Sequence, residues 1–217
     1  FQLASPMAIV YKSFPVGPLQ CNCTVIGNTD SGLGYVIDPG GDAEIILETV
    51  RSMKLDIQGI FHTHAHFDHF LAAADIKDAT QASIFLHKSD RFLWDTLEHQ
   101  CQFFNIAYKP TPPPDFNIED EQDLEHCDGT CIHTPGHTPG SVSFYFENEK
   151  LLVAGDTLFQ GSIGRTDLPG GDFNALKKSI QKRLYSLDES SLVITGHGPN
   201  TTLGREMTSN MFVTYNS

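Results

Sequence analysis

"FHTHAHFDHF", residues 61–70, places four of the chain's ten histidines and one aspartate within ten positions. Few tasks other than holding a metal ion reward that density of imidazole and carboxylate. The run "QGIFHT" (58–63) leading into it reads as a buried strand. Side chains alternate along an extended chain, so His64, His66 and Asp68 fall on one side. A turn into helix near Asp68 brings His69 in with them. His62 shares their parity but lies further back, and it reads as packed or capped. A lone His pair at i and i+2 is more often plain surface; H-x-H-x-D-H at a strand end is specific.

Three later places supply similar groups. "TPGHTPGS" (134–141) presents His137 among Pro and Gly residues, "LLVAGDTLF" (151–159) puts Asp156 just past an apolar strand, and "VITGHGP" (193–199) does the same with His197. Any one alone reads as a turn residue. Together, four strand or loop endings each carry an imidazole or a carboxylate. Seven groups are too many for one tetrahedral zinc, which takes about three or four protein ligands. They suit two ions: His64, His66 and His137 for one, Asp68, His69 and His197 for the other, with Asp156 bridging. In sites of this kind the ions lie roughly 3.5–4 Å apart and ionise a shared water. His/Asp donor sets accept Zn, Fe or Mn, and zinc is the expected choice.

The rest of the chain supplies the frame. Strand-like runs recur at 8–14, 21–27, 34–38, 83–87, 130–134, 141–146, 151–156 and 191–196. Helical spacing of apolar residues appears behind Asp42 (Ala43, Ile46, Leu47, Val50, Met53) and behind Asp172 (Phe173, Leu176, Ile180, Leu184), each aspartate an expected N-cap. Segments 69–79 and 88–104 are weaker helix candidates. Early strands with few helices, then alternation, give α+β character with sheets that helices must cover. "KPTPPPDF" (109–116) reads as a stiff connector inside the domain.

The 217 residues suit one domain, taken as 7–217, with Met7 as the natural start and residues 1–6 as a cloning remnant. The N-terminus lacks a basic region and an apolar h-region, so no secretion signal is expected, and no stretch is long enough to span a membrane. A formal charge of −13 disfavours nucleic acid; Lys177, Lys178, Lys182 and Arg183 read as a solvated helix face. Five cysteines at irregular spacing suit a reducing cytoplasm. Cys127 and Cys131, beside His126 and His133, read as plain thiols rather than a zinc site.

The whole pattern resembles the metallo-β-lactamase superfamily, over residues 21–204. That resemblance implies a four-layer αββα sandwich with metals at the edge of two sheets, and the same seven ligands. Within the family, "THAHFDH", "TPGHTPGS", "GDTLF" and "TGHG" are most similar to the glyoxalase II group, which hydrolyses glutathione thioesters. It implies a hydroxyacylglutathione hydrolase-like thioesterase acting on S-D-lactoylglutathione or a similar thioester, with Asp68 positioning the attacking hydroxide. "VIDPGGD" (36–42) resembles the family loop near the metals and makes Asp38 a candidate acceptor for a ligand imidazole; a simple turn-former before Pro39 is the equal alternative. In "GSIGRTDLPGGD" (161–172), Arg165 matches a basic residue that contacts the glutathione part; pairing with Asp167 or Asp172 is its alternative. Only 20 residues follow His197, so the helical glutathione-binding domain of long members is not expected.

Other reaction classes remain open. The "GRTD" at 164–167 also resembles iron-dependent persulfide dioxygenases, which use one iron on two His and one Asp. β-Lactamase action ranks lower, because the lactamases nearest in H-x-H-x-D-H generally lack a carboxylate in the place of Asp156. A metal-binding protein without activity ranks lowest, because none of the seven groups is lost.

Overall fold

The computed structural model describes residues 8–215. The expectations for residues 1–6 and Met7 lie outside them. The first sheet holds β1 (Ile9–Val16), β2 (Cys21–Asn28), β3 (Leu33–Ile37), β4 (Asp56–Phe61), β5 (Ser83–His87) and β6 (Phe116–Ile118), in that spatial order. β1 to β3 form an antiparallel meander; β3 to β6 run parallel. Parallel neighbours need crossovers. These are α1 (Ala43–Met53), α2 (Ala73–Thr80), and the pair α3 (Arg91–Trp94) and α4 (Leu97–Phe103).

The second sheet holds β7 (Asp123–Leu124), β8 (Gly129–His133), β9 (Val142–Phe146), β10 (Leu151–Gly155), β13 (Leu192–Thr195) and β14 (Thr201–Thr202). Its spatial order is β14-β13-β10-β9-β8-β7. Only β10 and β13 are parallel. Between them run a small hairpin, β11 (Leu158–Phe159) and β12 (Ser162–Ile163), and α5 (Phe173–Ser179). α6 (Leu203–Ser209) is the last helix of the described residues.

Strand alternation builds the four layers. From β9 and β10, Val142, Phe144, Phe146, Leu151 and Val153 face the first sheet, where Ile26, Tyr35, Ile37 and Phe61 meet them. The intervening Tyr145, Leu152 and Ala154 turn outward to Leu176, Ile180 and Leu203. On the far side of the first sheet, Val25, Val36 and Ile60 pack on Ile46, Val50 and Ile76 of α1 and α2. Burying each large side chain contributes about 1.5–3 kcal/mol. The α+β sandwich with helices on both outer faces is the architecture that the sequence led us to expect. No helix among the described residues is long and apolar enough to cross a membrane.

Several local expectations change. Asp42 does not cap α1: it sits at φ 50° with no side-chain cap bond, and its carboxylate accepts from the Gly17 amide at 2.8 Å. The left-handed backbone turns the side chain away from the helix's own amides. Asp172 does cap α5, accepting from the Ala175 amide at 3.0 Å. The single helix expected behind it instead changes at Ile180 into a wider π-type turn that ends at Leu184. All five cysteines are buried and free, and Cys127 and Cys131 pack between the sheets.

One edge of the sandwich is stitched by main chain. The Asn22 amide donates to Gly196 O (2.8 Å), Cys21 bridges to His197, and the Val142 amide donates to Thr63 O (2.8 Å). The "DPGG" loop also closes here: a Cβ on Gly40 would lie 2.0 Å from Asp68 O, so only glycine allows that approach.

Candidate metal centre

β4 ends at Phe61, before the histidine-rich run. Strand alternation therefore does not gather its side chains as expected; the chain leaves the sheet and makes a 3₁₀ turn over Phe67–His69. That turn brings His69 to the same place as Asp68. Parallel pairing of β10 and β13, which ends at Gly155 opposite Thr195, brings Asp156 and His197 out at the same sheet edge. The β8–β9 loop delivers His137.

All seven candidate ligands meet at this edge. Ligand atoms of His64, His66 and His137 lie within 4.8 Å of one another, as do those of His64, His69 and Asp156, and those of Asp68, His69 and His197. His66 Nδ1 is 3.0 Å from His137 Nε2. Asp156 Oδ1 lies 3.4 Å from His69 Nε2 and 3.7 Å from His197 Nε2, while its Oδ2 is 3.6 Å from His137 Nε2. Asp68 Oδ2 is 3.0 Å from His197 Nε2 and 3.6 Å from His69 Nε2.

The outer nitrogens explain how the rings are aimed. His64 Nδ1 lies 3.1 Å from Thr63 Oγ1, His69 Nδ1 2.9 Å from Asp38 Oδ2, His137 Nδ1 2.7 Å from Arg165 O, and His197 Nδ1 2.9 Å from Leu19 O. Nδ1 of each of these rings donates to its oxygen, so Nε2 is the atom aimed inward, where a metal ion would take it in its unprotonated form. The Asp38 carboxylate also accepts from the Thr63 amide (2.8 Å) and hydroxyl (2.6 Å), which binds the DPGG loop to the end of β4. Thr63 and the carbonyls of Leu19 and Arg165 were not singled out from the sequence.

The electrostatics are those of a site built for cations. Burial pushes the pKa of His64 well down, with four neighbouring imidazoles adding to it; burial and His137 bring His66 to about 4. Burial opposes charge on His69, yet Cys21, Asp38, Asp68 and Asp156 outweigh it and raise its pKa. Burial likewise favours a neutral Asp156, but His69, His137 and His197 hold it well below the usual carboxylate range. His64 Nε2, His69 Nε2 and Asp156 Oδ1 are buried with no hydrogen-bond partner among the described residues. Stranding each such group costs about 1–3 kcal/mol. Three orphaned donor atoms converging on one space fit divalent metal ions.

His62 stands apart, as expected. Its ring is fully buried, stacks on Phe70 at 3.8 Å, and its Nδ1 lies 3.2 Å from His69 O. Burial lowers its pKa from 6.5 to about 4. The native state thus resists a proton that the unfolded chain accepts. Its contribution is present above pH 6.5 and lost as pH falls toward 4, by roughly 3 kcal/mol. Urea midpoints at pH 7 and pH 4.5 should diverge less in His62→Leu than in wild type; an equal divergence would remove His62 from the acid response.

Arg165 turns its guanidinium onto Asp167 in a two-pronged pair (both 2.7 Å), with 60 % of the side chain exposed. The pairing alternative is what this structure holds.

Residues 16–197 match the family model described as the metallo-beta-lactamase superfamily. The chain belongs to that superfamily. Its members are usually metal-dependent hydrolases that bind two divalent metals. The chain is 36% identical over 203 residues to hydroxyacylglutathione hydrolase GloC of Haemophilus influenzae, covering 92% of this chain and 95% of that one. Among solved structures, the B3 metallo-beta-lactamase BLEG-1 superposes with a TM-score of 0.86 at 39% identity, over 94% of this chain and 100% of that one. TTHA1623, in a di-iron-bound form, also gives 0.86, at 37% identity, over 93% of this superfamily member and 100% of that chain.

Proposed function

We propose that this protein is a thioester hydrolase of glyoxalase II type, with His64, His66 and His137 holding one metal ion, Asp68, His69 and His197 a second, and Asp156 shared. The observation that carries this reading is the inward set of orphaned nitrogen and oxygen atoms, with four rings fixed from behind. The GloC relative, matched along nearly its full length, supports the choice of thioester. When bound, the ions would acidify a water, which on zinc ionises with a pKa of about 7 rather than about 15.7, and polarise the acyl carbonyl.

The chain's own groups then set the geometry. Burial disfavours charge on Asp68, but His69 and His197 pull its pKa below the usual carboxylate value. It therefore acts as an acceptor at neutral pH and orients the attacking water by taking its hydrogen bond. The water oxygen bonds to the acyl carbon, the C–S bond breaks, and sulfur leaves with the electron pair to be protonated as a thiol. Asp38 and Thr63 hold the rings still while charge moves. No serine or cysteine nucleophile is needed; Cys21, the thiol nearest the centre, is fully buried, and burial pushes its pKa to about 12. Cytoplasmic residence and a small thioester as the partner, rather than nucleic acid, belong to the same reading.

S-D-lactoylglutathione and a small panel of acyl thioesters, tested with Zn, Fe and Mn, decide the substrate class. Asp68→Ala should lose most of the turnover, about 10²–10³-fold, while the variant still folds; near-normal turnover in a metal-replete variant refutes its role. A second reading, persulfide dioxygenase, draws on the "GRTD" segment at 164–167. Oxygen uptake with glutathione persulfide that depends on Fe(II) would put it first. A β-lactam belongs in the panel because of the BLEG-1 likeness.

A further inference from the structure

We infer that Asp90 is a positioning residue that sets the distance between the two loops supplying His64, His66 and His137. This rests on the metal assignment proposed above. Asp90 lies just before α3, outside every motif in the sequence, and is fully buried. Its Oδ2 accepts from the Ala65 amide at 3.0 Å and from Thr138 Oγ1 at 2.7 Å; its Oδ1 accepts from the Gly140 amide at 2.6 Å. Ala65 stands between His64 and His66, and Thr138 follows His137. One carboxylate therefore grips the β4 loop and the β8–β9 loop at the residues next to their imidazoles.

The grip is built on both sides. A Cβ on Gly140 would lie 2.6 Å from Asp90 Oδ1, so the loop backbone comes as close as glycine permits. Thr138, having given its hydroxyl proton to Asp90, accepts in turn from Ser141 Oγ at 2.8 Å. The other main-chain tie, the Val142 amide on Thr63 O at 2.8 Å, lies outside the segments 64–66 and 137–140. Within them His66 Nδ1 and His137 Nε2 lie 3.0 Å apart although 71 positions separate them. None of the three donors adjoins His69, Asp156 or His197. The role is thus confined to one of the two ion sets, which a general packing role would not be.

The test is stepwise metal binding to the metal-free full chain, by competition with a chromophoric chelator, in wild type, Asp90→Asn and Thr138→Val. Asn keeps the shape but turns one acceptor into a donor facing N–H groups; Val removes one donor and leaves the carboxylate two partners. In Asp90→Asn, one binding step should weaken about 10–100-fold, the usual effect of losing a group behind the ligands, while the other stays at its wild-type value. Thr138→Val should weaken the same step by less, and it decides the matter if Asp90→Asn does not fold. Anomalous diffraction should place the retained ion on Asp68, His69 and His197. Both steps weakening together, or neither changing, overturns the role of Asp90. If wild type itself takes up fewer than two ions, the functional reading fails and this role falls with it.

Discussion

Asp156→Asn should lower thioester turnover by more than about 10²–10³-fold, the loss that follows removal of one charge-stabilising group, and reduce bound metal below two ions per chain. Both expectations come from its place between the two imidazole sets. One oxygen faces His69 and His197, and the other faces His137. Asparagine preserves the volume, and Gly196 admits no side chain beside it, since a Cβ there would lie 1.9 Å from Oδ1. What it removes is the negative charge and one acceptor. Inductively coupled plasma mass spectrometry on the purified variant, with rates on the same sample, checks both parts. A variant holding two ions and working at half the wild-type rate would show that Asp156 is not shared.

Asp38→Ala should destabilise the metal-free protein by roughly 3–5 kcal/mol, the range for stripping a buried hydrogen-bonded charge of its partners. Three donors lose their acceptor at once: the Thr63 amide, the Thr63 hydroxyl and His69 Nδ1. None can reach water, because Asp38, Thr63 and His69 are all buried. Metal affinity should fall as well, by about 10–100-fold, since His69 is then free to turn. Asp38→Asn retains an acceptor and should cost less on both counts. Urea denaturation and chelator competition read the two effects separately. An unchanged unfolding midpoint in Asp38→Ala would mean that the carboxylate is not the tie between the DPGG loop and the end of β4.

How much of this was legible beforehand follows from what local sequence can encode. H-x-H-x-D-H was readable from its own density of imidazole and carboxylate, and His137, Asp156 and His197 because each lies at a glycine- or proline-marked strand or loop ending. β6, β7, β11, β12 and β14 span two or three residues each and leave no period to detect. The mode of convergence was misjudged for a related reason. Alternation describes an extended chain, and nothing in "HTHAHFDH" marks where β4 stops and the 3₁₀ turn begins. Support from behind was the least visible part. His197 leans on a carbonyl 178 positions away at Leu19, and His137 on one 28 positions away at Arg165. Every residue carries a carbonyl, so no side-chain signal could have named those two. Asp90 does have a distinctive side chain, but its partners come from loops 25, 48 and 50 positions distant. The family resemblance supplied Asp38, which composition and spacing left level with a turn-former.

The most direct measurement is a zinc titration of the metal-free full chain to saturation, with anomalous diffraction from crystals of the product. Two ions per chain are predicted, one on His64, His66 and His137, the other on Asp68, His69 and His197, with Asp156 touching both. A single ion at saturation, or two ions bound elsewhere, would contradict the account.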